Sequence, residues 1–391
     1  MRLTSSFAVF RAEPQEQDLA KARWLAREGN LEAAEGEYRS VLEQHPGIPA
    51  GWIELCDLLR REGRLEDALG AALLAEQHFG PDAAMPLALK GAALSELGRT
   101  REAVAALEAA LERDGNLALA WHELAYAAYR VGEYPRALLA LDRAFALEPH
   151  TDTLMLRGHI LREAGQYDAA SVAFEAAGEA TEHEIPRRDA QREVLATHRA
   201  ASLGGRKPKQ FTARERAYVL TGTVLLDPES IPASQLTDSF ARSIASIASF
   251  VRLAGWAPAA IAGALPSDAA LADALARRIG VDVAMVAALD PADRPLIVTV
   301  FNNGAADWAK QIARLARWKA GATFALAQAP AVDFAADVAG RLGALDKDLV
   351  ATAAAAALER DLPPIEAAEA AALVVSLQAP WRRRLSGAFQ A

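Results

Sequence analysis

The chain of 391 residues contains a single cysteine, Cys56, which excludes an internal disulfide bond and any metal site made of several cysteines. No apolar run approaches the ~20 residues that a helix needs to cross a bilayer. The opening stretch also has too few apolar residues for the core of a secretory signal peptide. These absences predict a cytoplasmic protein that does not enter a membrane.

Catalytic signatures are missing as well. The sequence contains no G-x-x-x-x-G-K-[ST] phosphate loop, no G-x-G-x-x-G turn, no H-E-x-x-H zinc motif and no G-x-S-x-G nucleophile elbow. We therefore assign no catalytic residue, no cofactor and no metal ion from the sequence, and we favour a binding protein over an enzyme.

Charge is unevenly distributed along the chain. The composition, 52% apolar and 24% charged, is that of a globular protein, and the net charge is −9. Through Ile185, 18 Lys and Arg stand against 31 Asp and Glu, which gives this part a net charge of −13 and the remainder +4. Because binding to phosphates needs a positive surface, we expect no DNA or RNA partner for the acidic part.

The sequence does contain a repeat near its N-terminus. A glycine with an alanine five residues later occurs five times, at Gly29 and Ala34, Gly63 and Ala68, Gly98 and Ala103, Gly132 and Ala137, and Gly165 and Ala170. Successive glycines are 34, 35, 34 and 33 residues apart. A period of this length predicts a solenoid of helix–turn–helix units.

Each repeat is predicted to form two helices joined at the glycine. In the fourth repeat, Trp121, Leu124 and Ala125 fall on one face of the first helix. Gly132 is expected to end that helix, because glycine adopts a left-handed conformation without strain. The recurring alanine, Ala137 in this repeat, allows the paired helices to approach closely.

These residues together resemble the tetratricopeptide repeat (TPR) family, over about five repeats from roughly Gln15 to Gly178. Trp52 and Trp121 lie where that family often has tryptophan, and Cys56 lies where it prefers a small residue, so we interpret Cys56 as a buried packing residue. The resemblance implies an α-solenoid domain over residues 15–185. Its first helices would line a concave face that binds a peptide or protein segment.

The resemblance also implies which side chains face that groove. The implied partner-binding residues are Arg23, Asp57, Arg60, Met85, His122, Tyr126, Tyr129, Met155, His159 and Arg162. Aromatic and Arg side chains dominate interface energetics, which directs attention to the fourth and fifth repeats. Packing between helices is the alternative for Tyr126 and Tyr129. A clamp for a C-terminal carboxylate is disfavoured, because its Asn positions hold Asp57 and Ala92.

Residues 186–211 break the pattern. From Arg187 to Arg216, nine basic residues face three acidic ones, and a charged helix at the start is expected to break at Gly204, Gly205 and Pro208. We interpret this segment as a solvated basic linker. Docking onto the acidic repeats or onto a phosphate-bearing ligand is the alternative.

Strand and helix patterns alternate over residues 212–391. Strands are predicted at 217–227, 259–262, 281–289, 295–301 and 323–329, and helices at 236–256, 269–280 and 308–321. The last fifty residues are expected to be a helical extension interrupted at Pro363 and Pro364. This order predicts an α/β domain, three-layered and Rossmann-like, with a mainly parallel sheet.

The carboxyl ends of parallel strands are where such a sheet binds its ligand. The candidate ligand-binding residues there are Ser267, Asp268, Asn302, Asn303 and Gly304, with Gln328 at a third turn. The order of elements resembles a type I phosphoribosyltransferase core. The acidic pair of that family is absent, so the resemblance implies a non-catalytic member. A helix cap at Ser267 and Asp268 and a simple turn at Asn303 and Gly304 are the alternatives.

The sequence as a whole predicts a cytoplasmic scaffold or adaptor that binds a protein or peptide in the groove, with a non-catalytic α/β domain. The alternative is a transferase, or a protein that binds a nucleotide or phosphoribosyl ligand, whose repeats recruit the substrate. A homo-oligomer is a further option, because a solenoid without a polar cap can stack on a second copy of itself.

Overall fold

The structure is a computed structural model. It describes residues 18–226, 232–253, 258–289, 295–302, 322–328, 338–342 and 347–360, together with 362 and 370. The chain divides into two compact units, Met1–Val194 and Leu195–Ala391. None of the helices in these described ranges is long and apolar enough to span a membrane.

The first unit is a row of helical hairpins, as the repeat period predicts. Its paired helices are α1 (Ala20–Arg27), α2 (Leu31–Gln44), α3 (Pro49–Arg61), α4 (Leu65–Phe79), α5 (Ala84–Glu96), α6 (Thr100–Arg113), α7 (Ala118–Arg130), α8 (Tyr134–Leu147), α9 (Thr151–Glu163) and α10 (Tyr167–Glu179). In all five hairpins the turn contains a glycine with a left-handed backbone, such as Gly132 at a φ of 82°. The prediction of five helical hairpins in a solenoid is confirmed.

Small residues set the distance between the paired helices. The five repeating alanines are fully buried. A Cβ atom added to Gly91 would lie 2.5 Å from Leu107, and one added to Gly158 would lie 2.6 Å from the Phe174 ring. No side chain larger than hydrogen fits at these two positions without displacing its neighbour, so the spacing of the hairpins depends on them.

The two tryptophans of the repeats play one structural role. The indole Nε1 of Trp52 donates a hydrogen bond to the Pro46 carbonyl at 2.8 Å, and that of Trp121 donates to the Gly115 carbonyl at 2.9 Å. Each bond ties the start of a first helix to the loop six residues before it. Cys56 is buried as the repeat pattern predicts, and burial raises the pKa of its thiol to about 12.

The segment predicted as a solvated linker is mostly helical. Helix α11 (Glu184–Ala201) spans the boundary between the two units. Its Ala190 is buried, and the Ala190 Cβ lies 3.4 Å from a Cβ built on Gly178 in α10. Ala196 and Ala200 are buried as well. The charged helix expected at the start of this segment is present as α11, and part of it packs. The linker role of residues 186–211 stays a prediction.

The second unit contains a six-stranded sheet. Its strands are β1 (Val224–Leu225), β2 (Ala260–Gly263), β3 (Asp282–Val283), β4 (Leu296–Asn302), β5 (Ala322–Gln328) and β6 (Val338–Leu342). All neighbours are parallel, in the order β1-β6-β5-β4-β2-β3. The helices of this unit are α12 (Ala213–Thr221), α13 (Leu236–Leu253), α14 (Ala269–Ile279) and α15 (Lys347–Leu358). The mainly parallel sheet is confirmed.

Helices cover both faces of this sheet. On one face, Ala262, Ile297 and Ala325 pack in a cluster that includes Ala217 of α12. On the other face, a Cβ built on Gly340 would lie 3.1 Å from the Ser243 Cβ of α13, and α13, α14 and α15 contact one another. The Rossmann-like assignment stays a prediction, because the chain that follows β4 and β5 lies outside the described residues.

Two predicted strands of the second half are wrong in extent. Residues 217–221 belong to α12, which starts with a reciprocal cap in which Thr212 Oγ1 accepts from the Glu215 amide and the Glu215 carboxylate accepts from the Thr212 amide. The strand expected at 281–289 shortens to β3, which pairs only with β2 at the sheet edge. The sequence analysis predicted no strand after 323–329, whereas the structure has β6 after β5. The predicted helix at 308–321 lies outside the described residues.

Candidate functional site

The first helices of the repeats form one continuous surface, which we call the first-helix face. Helices α3 and α5, α5 and α7, and α7 and α9 contact each other in addition to their hairpin partners. The side chains that the TPR resemblance assigns to a partner lie on these helices. Polar contacts between consecutive first helices turn out to engage many of them.

Arg23 on α1 is held by an acidic side chain of the next first helix. Its guanidinium donates to Glu54 on α3 at 2.6 to 3.1 Å, and the Tyr38 hydroxyl donates to the same carboxylate at 2.9 Å. Burial, followed by the charge of Glu54, raises the pKa of Tyr38 well above its usual value. Arg23 thus fastens α1 to α3, and its charge is neutralised there.

Arg60 on α3 connects three first helices. It donates to Glu96 at the end of α5 at 2.7 Å and to Glu123 on α7 at 2.9 and 3.3 Å. The Glu123 side chain is only 2% exposed. Nearby, Asp57 pairs with Arg61, yet burial outweighs that ion pair and raises the pKa of Asp57 to about 6.

The two histidines of the predicted set are buried. His122 on α7 lies 3.4 Å from the Thr153 hydroxyl on α9, and burial lowers its pKa to about 3. His159 on α9 packs edge-on against Phe174 with ring centroids 5.0 Å apart, and burial, followed by the charge of Arg162, lowers its pKa to about 3. Both rings are therefore neutral at physiological pH.

Arg162 on α9 makes the corresponding contact with α11. Its Nη1 donates to Glu193 at 2.5 Å, its Nη2 lies 3.1 Å from His159 Nδ1, and its guanidinium sits over the Phe174 ring at 5.5 Å from the centroid. Each of the Arg162 and Glu193 side chains is 13% exposed. The pair joins α11 to the row of first helices.

The remaining predicted groove residues are two methionines and two tyrosines. Met155 is buried in the core with Phe174, and Met85 is half-buried against the core of the first repeats. Tyr126 and Tyr129 are half-buried on α7, with ring centroids 6.5 Å apart. These two tyrosines remain within reach of a partner.

A third tyrosine, which the sequence reasoning missed, extends this pair. Tyr134 at the start of α8 lies 6.3 Å from Tyr129 between ring centroids. All three rings pack one side against the core of the fourth repeat and are half-buried. We call Tyr126, Tyr129 and Tyr134 the tyrosine surface. Its outer end carries Arg130, whose guanidinium lies 5.9 Å from the centroid of the Tyr126 ring.

The acidic partners of the partly buried Arg23, Arg60 and Arg162 were also missed. Glu54, Glu123 and Glu193 each accept from an arginine of another first helix. One signal was available: Arg23 and Glu54, and likewise Arg162 and Glu193, are 31 residues apart. An offset slightly shorter than the repeat period places the two side chains on adjacent first helices.

In the second unit, candidate ligand residues meet at the carboxyl edge of the sheet. Asp268 is buried, and its carboxylate accepts from the Leu265 amide at 2.9 Å and from the Val300 amide at 3.0 Å. Burial raises the pKa of Asp268. These bonds tie the turn after β2 to strand β4. An N-cap role was the alternative for Asp268, but its side chain accepts no capping hydrogen bond from α14.

Asn302 and Gln328 end neighbouring strands and bind each other. The Asn302 amide donates to Gln328 Oε1 at 3.1 Å, and Gln328 Nε2 donates to the buried Thr223 hydroxyl at 2.7 Å. Ser267 is exposed at the turn before α14. Asn303 and Gly304 lie outside the described residues. No group of three His, Cys, Asp or Glu suited to a metal ion occurs in the part of the chain that the structure describes.

Residues 87–117 match the family model of the tetratricopeptide repeat, which confirms the predicted repeat type in the N-terminal part. No curated protein sequence matches the chain. The resemblance of the second half to phosphoribosyltransferases stays a prediction.

The chain is similar over part of its length to solved structures, of which three follow. TTC0263, a thermophilic TPR protein of Thermus thermophilus, is 18% identical with a TM-score of 0.41, over 46% of this chain and 99% of that chain. A chain of the APC/C hetero-tetramer Cut9-Hcn1 is 17% identical with a TM-score of 0.41, over 53% and 42%. YrrB, a TPR protein with an unusual peptide-binding site, is 16% identical with a TM-score of 0.29, over 46% and 98%.

Proposed function

We propose that the helical repeats are a protein-interaction scaffold that binds a peptide or protein segment on the first-helix face. The observation that carries this proposal is the tyrosine surface, where three neighbouring rings are only half-buried. Tyrosine offers a large, rigid contact area together with a hydroxyl, and it is enriched among the residues that dominate binding energy.

The contact is centred on Tyr126 and Tyr129 rather than on the histidines. His122 and His159 are buried, and Arg162 is held by Glu193. A partner could reach them only by breaking contacts between first helices. We assign these three residues to positioning the helices on which the tyrosines stand.

The experiment is a comparison of two surfaces of one solenoid. The tagged chain is used to recover partner proteins from a lysate of its source cells. These partners are identified by mass spectrometry and then purified. Their affinity is measured for wild type, for the double variant Tyr126→Ala and Tyr129→Ala, and for Leu139→Ala. Leu139 is a matched control, because it is 63% exposed on the second helix of the same repeat.

We expect the tyrosine double variant to lose affinity at least about thirtyfold, since the loss of even one hot-spot side chain costs about 2 kcal/mol or more. The Leu139 variant should bind like wild type. An unchanged affinity in the tyrosine variant, with a loss in the Leu139 variant, would move the binding surface to the second helices. Circular dichroism melting curves check that all variants fold.

A second candidate function concerns the sheet of the second unit: a binding site for a nucleotide or phosphoribosyl compound. It is favoured by the strand order, which reverses at β2 between β3 and β4. Ligands of open parallel sheets bind beyond the carboxyl ends at such a reversal. We assign Ser267, Asp268 and Asn302 to this site, together with Gln328, which binds Asn302.

Thermal shift of the full chain tests this second function. Nucleotides, phosphoribosyl pyrophosphate and nucleotide sugars are added one at a time. A ligand present at 100 times its Kd should raise the free energy of unfolding by about 2.7 kcal/mol. Ser267→Trp fills the exposed turn and should abolish the shift without changing the ligand-free melting temperature. The absence of any shift with all three classes would count against this site.

A further inference from the structure

Beside the tyrosine surface lies a carboxylate with no partner of its own. Glu163, the last residue of α9, is half-buried and makes no hydrogen bond or ion pair with the residues that the structure describes. Tyr129 and Glu163 lie in the last turns of α7 and α9, two first helices that contact each other. Burial, followed by the charge of Glu163, raises the pKa of Tyr129 to about 12 and raises that of Tyr134. We call Tyr129, Tyr134 and Glu163 the tyrosine–glutamate cluster.

The nearest arginine does not neutralise this carboxylate. The Arg162 guanidinium donates to Glu193 and lies over Phe174, so its charge is offset by Glu193. Its attraction lowers the pKa of Glu163 less than burial raises it. The carboxylate therefore acts as a negative charge on Tyr129 and Tyr134.

The other end of the tyrosine surface shows which group stacks on such a ring. Arg130 is exposed, and its guanidinium lies over Tyr126. Within the described ranges, no cation occupies the equivalent place over Tyr129 or Tyr134. The faces of these rings carry the negative part of the aromatic quadrupole, which attracts a cation and adds to the attraction by Glu163.

We infer that the tyrosine–glutamate cluster binds a cationic side chain, Arg or Lys, of a partner segment. The inference rests on the proposed scaffold function and names the chemistry that the first-helix face selects. The occupant is an extended basic segment, since the chain through Ile185 has a net charge of −13 and would repel an acidic one. Arg suits the site better than Lys, because a guanidinium plane can stack on one ring while it donates to the carboxylate.

The test uses defined peptides on the full chain. Three fluorescein-labelled peptides of twelve residues alternate glycine with arginine, with citrulline or with glutamate. Citrulline keeps the planar shape of arginine but has no charge. Fluorescence anisotropy in 50 mM and 300 mM NaCl gives the affinity of each peptide for wild type, Glu163→Gln, Glu133→Gln and Tyr129→Leu.

Glu133 is the matched control for net charge. It stands on the turn between Tyr129 and Tyr134, is exposed and is already paired with Arg136, so Glu133→Gln removes the same formal charge from outside the cluster. We expect wild type to bind the arginine peptide about tenfold more tightly than the citrulline peptide. Glu163→Gln should remove most of that difference, Glu133→Gln should leave it within twofold, and Tyr129→Leu should weaken both peptides.

Each other outcome overturns the inference. Equal losses in the two glutamine variants would mean that net charge alone attracts the peptide. Equal affinity for arginine and citrulline, tighter binding of the glutamate peptide, or no binding of any peptide would exclude a cation site. The scaffold proposal is judged separately, by the affinity of the purified partner for the Tyr126 and Tyr129 double variant. Melting curves distinguish a loss of binding from a loss of fold.

Discussion

At the scale of single residues, glycines inside helices determine how closely the hairpins pack. Gly158 on α9 faces Phe174 on α10, and an added Cβ would lie 2.6 to 2.7 Å from three ring carbons. We expect Gly158→Ala to destabilise the protein by about 1–3 kcal/mol through overpacking, in spite of the better helix propensity of alanine. The midpoint of urea unfolding measures this change.

Gly70 provides the opposite case. It lies within α4, and a Cβ built there has no neighbour within 4 Å. Gly70→Ala should stabilise the protein by about 0.5–1 kcal/mol, because alanine loses less backbone entropy on folding. If the two variants shifted the midpoint in the same direction, close packing at Gly158 would not be the reason for its glycine.

Asp57 should give the first unit a specific pH dependence. Burial raises the pKa of Asp57 from the usual 3.8 to about 6. A carboxyl group with a raised pKa stabilises the folded state fully at pH values below about 4, and this contribution is lost as the pH rises through 6. Between pH 7 and pH 5, wild type should gain about 1 kcal/mol of stability relative to Asp57→Asn.

The comparison with Asp57→Asn cancels the titration of all other carboxylates. Urea unfolding at pH 5, 6 and 7 in the two proteins therefore reports on Asp57 alone. A stability difference that stays constant over this range would contradict a raised pKa at this position, and one that changes in the opposite direction would indicate that the ion pair with Arg61 outweighs burial.

Side-chain position was more predictable than side-chain pairing. The repeat period places Arg23, Arg60 and Arg162 on the first helices, and the structure has them there. Whether these arginines form ion pairs with glutamates of neighbouring first helices depends on the angle between the packed helices and on side-chain exposure. The repeat period predicts neither of these. The same limit applies to Tyr134, which belongs to a second helix and joins Tyr129 only across the turn.

At the scale of elements, α11 acts as one more first helix at the end of the row. The partly buried pair Arg162 and Glu193, each with a side chain 13% exposed, joins it to α9. Removing either partner should cost about 2 kcal/mol, because the charge left behind is shielded from water. In a double-mutant cycle with alanine at both positions, we expect a coupling of about 1–3 kcal/mol.

An exposed pair of the same chemistry is the control for this cycle. Arg157 on α9 binds Asp142 on α8, and their side chains are 38% and 55% exposed. Surface pairs contribute at most about 1 kcal/mol, and here we expect less. Equal coupling energies in the two cycles would show that α11 is not held by its partly buried ion pair. Urea unfolding of all six variants provides the energies.

Elements with a strong period were predicted, and short or locally capped ones were not. Ten helices of the repeats follow from glycine and alanine spacing, and β4 follows from one apolar run. The segment that ends α12 has β-branched residues typical of a strand, but the Thr212 and Glu215 cap starts a helix before them. Strand β3 is short because it has a neighbour on one side only.

At the scale of the whole molecule, the charge distribution should control how fast a basic segment arrives. The chain through Ile185 has a net charge of −13, whereas the tyrosine–glutamate cluster offers a single unpaired carboxylate. Long-range attraction raises the association rate and is screened by salt, and short-range contacts set the dissociation rate. The two effects should therefore separate in a kinetic experiment.

Stopped-flow anisotropy with the arginine peptide measures both rates. Between 50 mM and 500 mM NaCl, we expect the association rate constant of wild type to fall about tenfold, because the Debye length shortens from roughly 14 Å to roughly 4 Å. Tyr129→Leu should raise the dissociation rate constant and leave the association rate constant within twofold, because it removes a ring and no charge. If salt acted mainly on dissociation, or Tyr129→Leu mainly on association, the distant acidic residues would not be guiding the peptide, and binding would depend on contacts at the cluster alone.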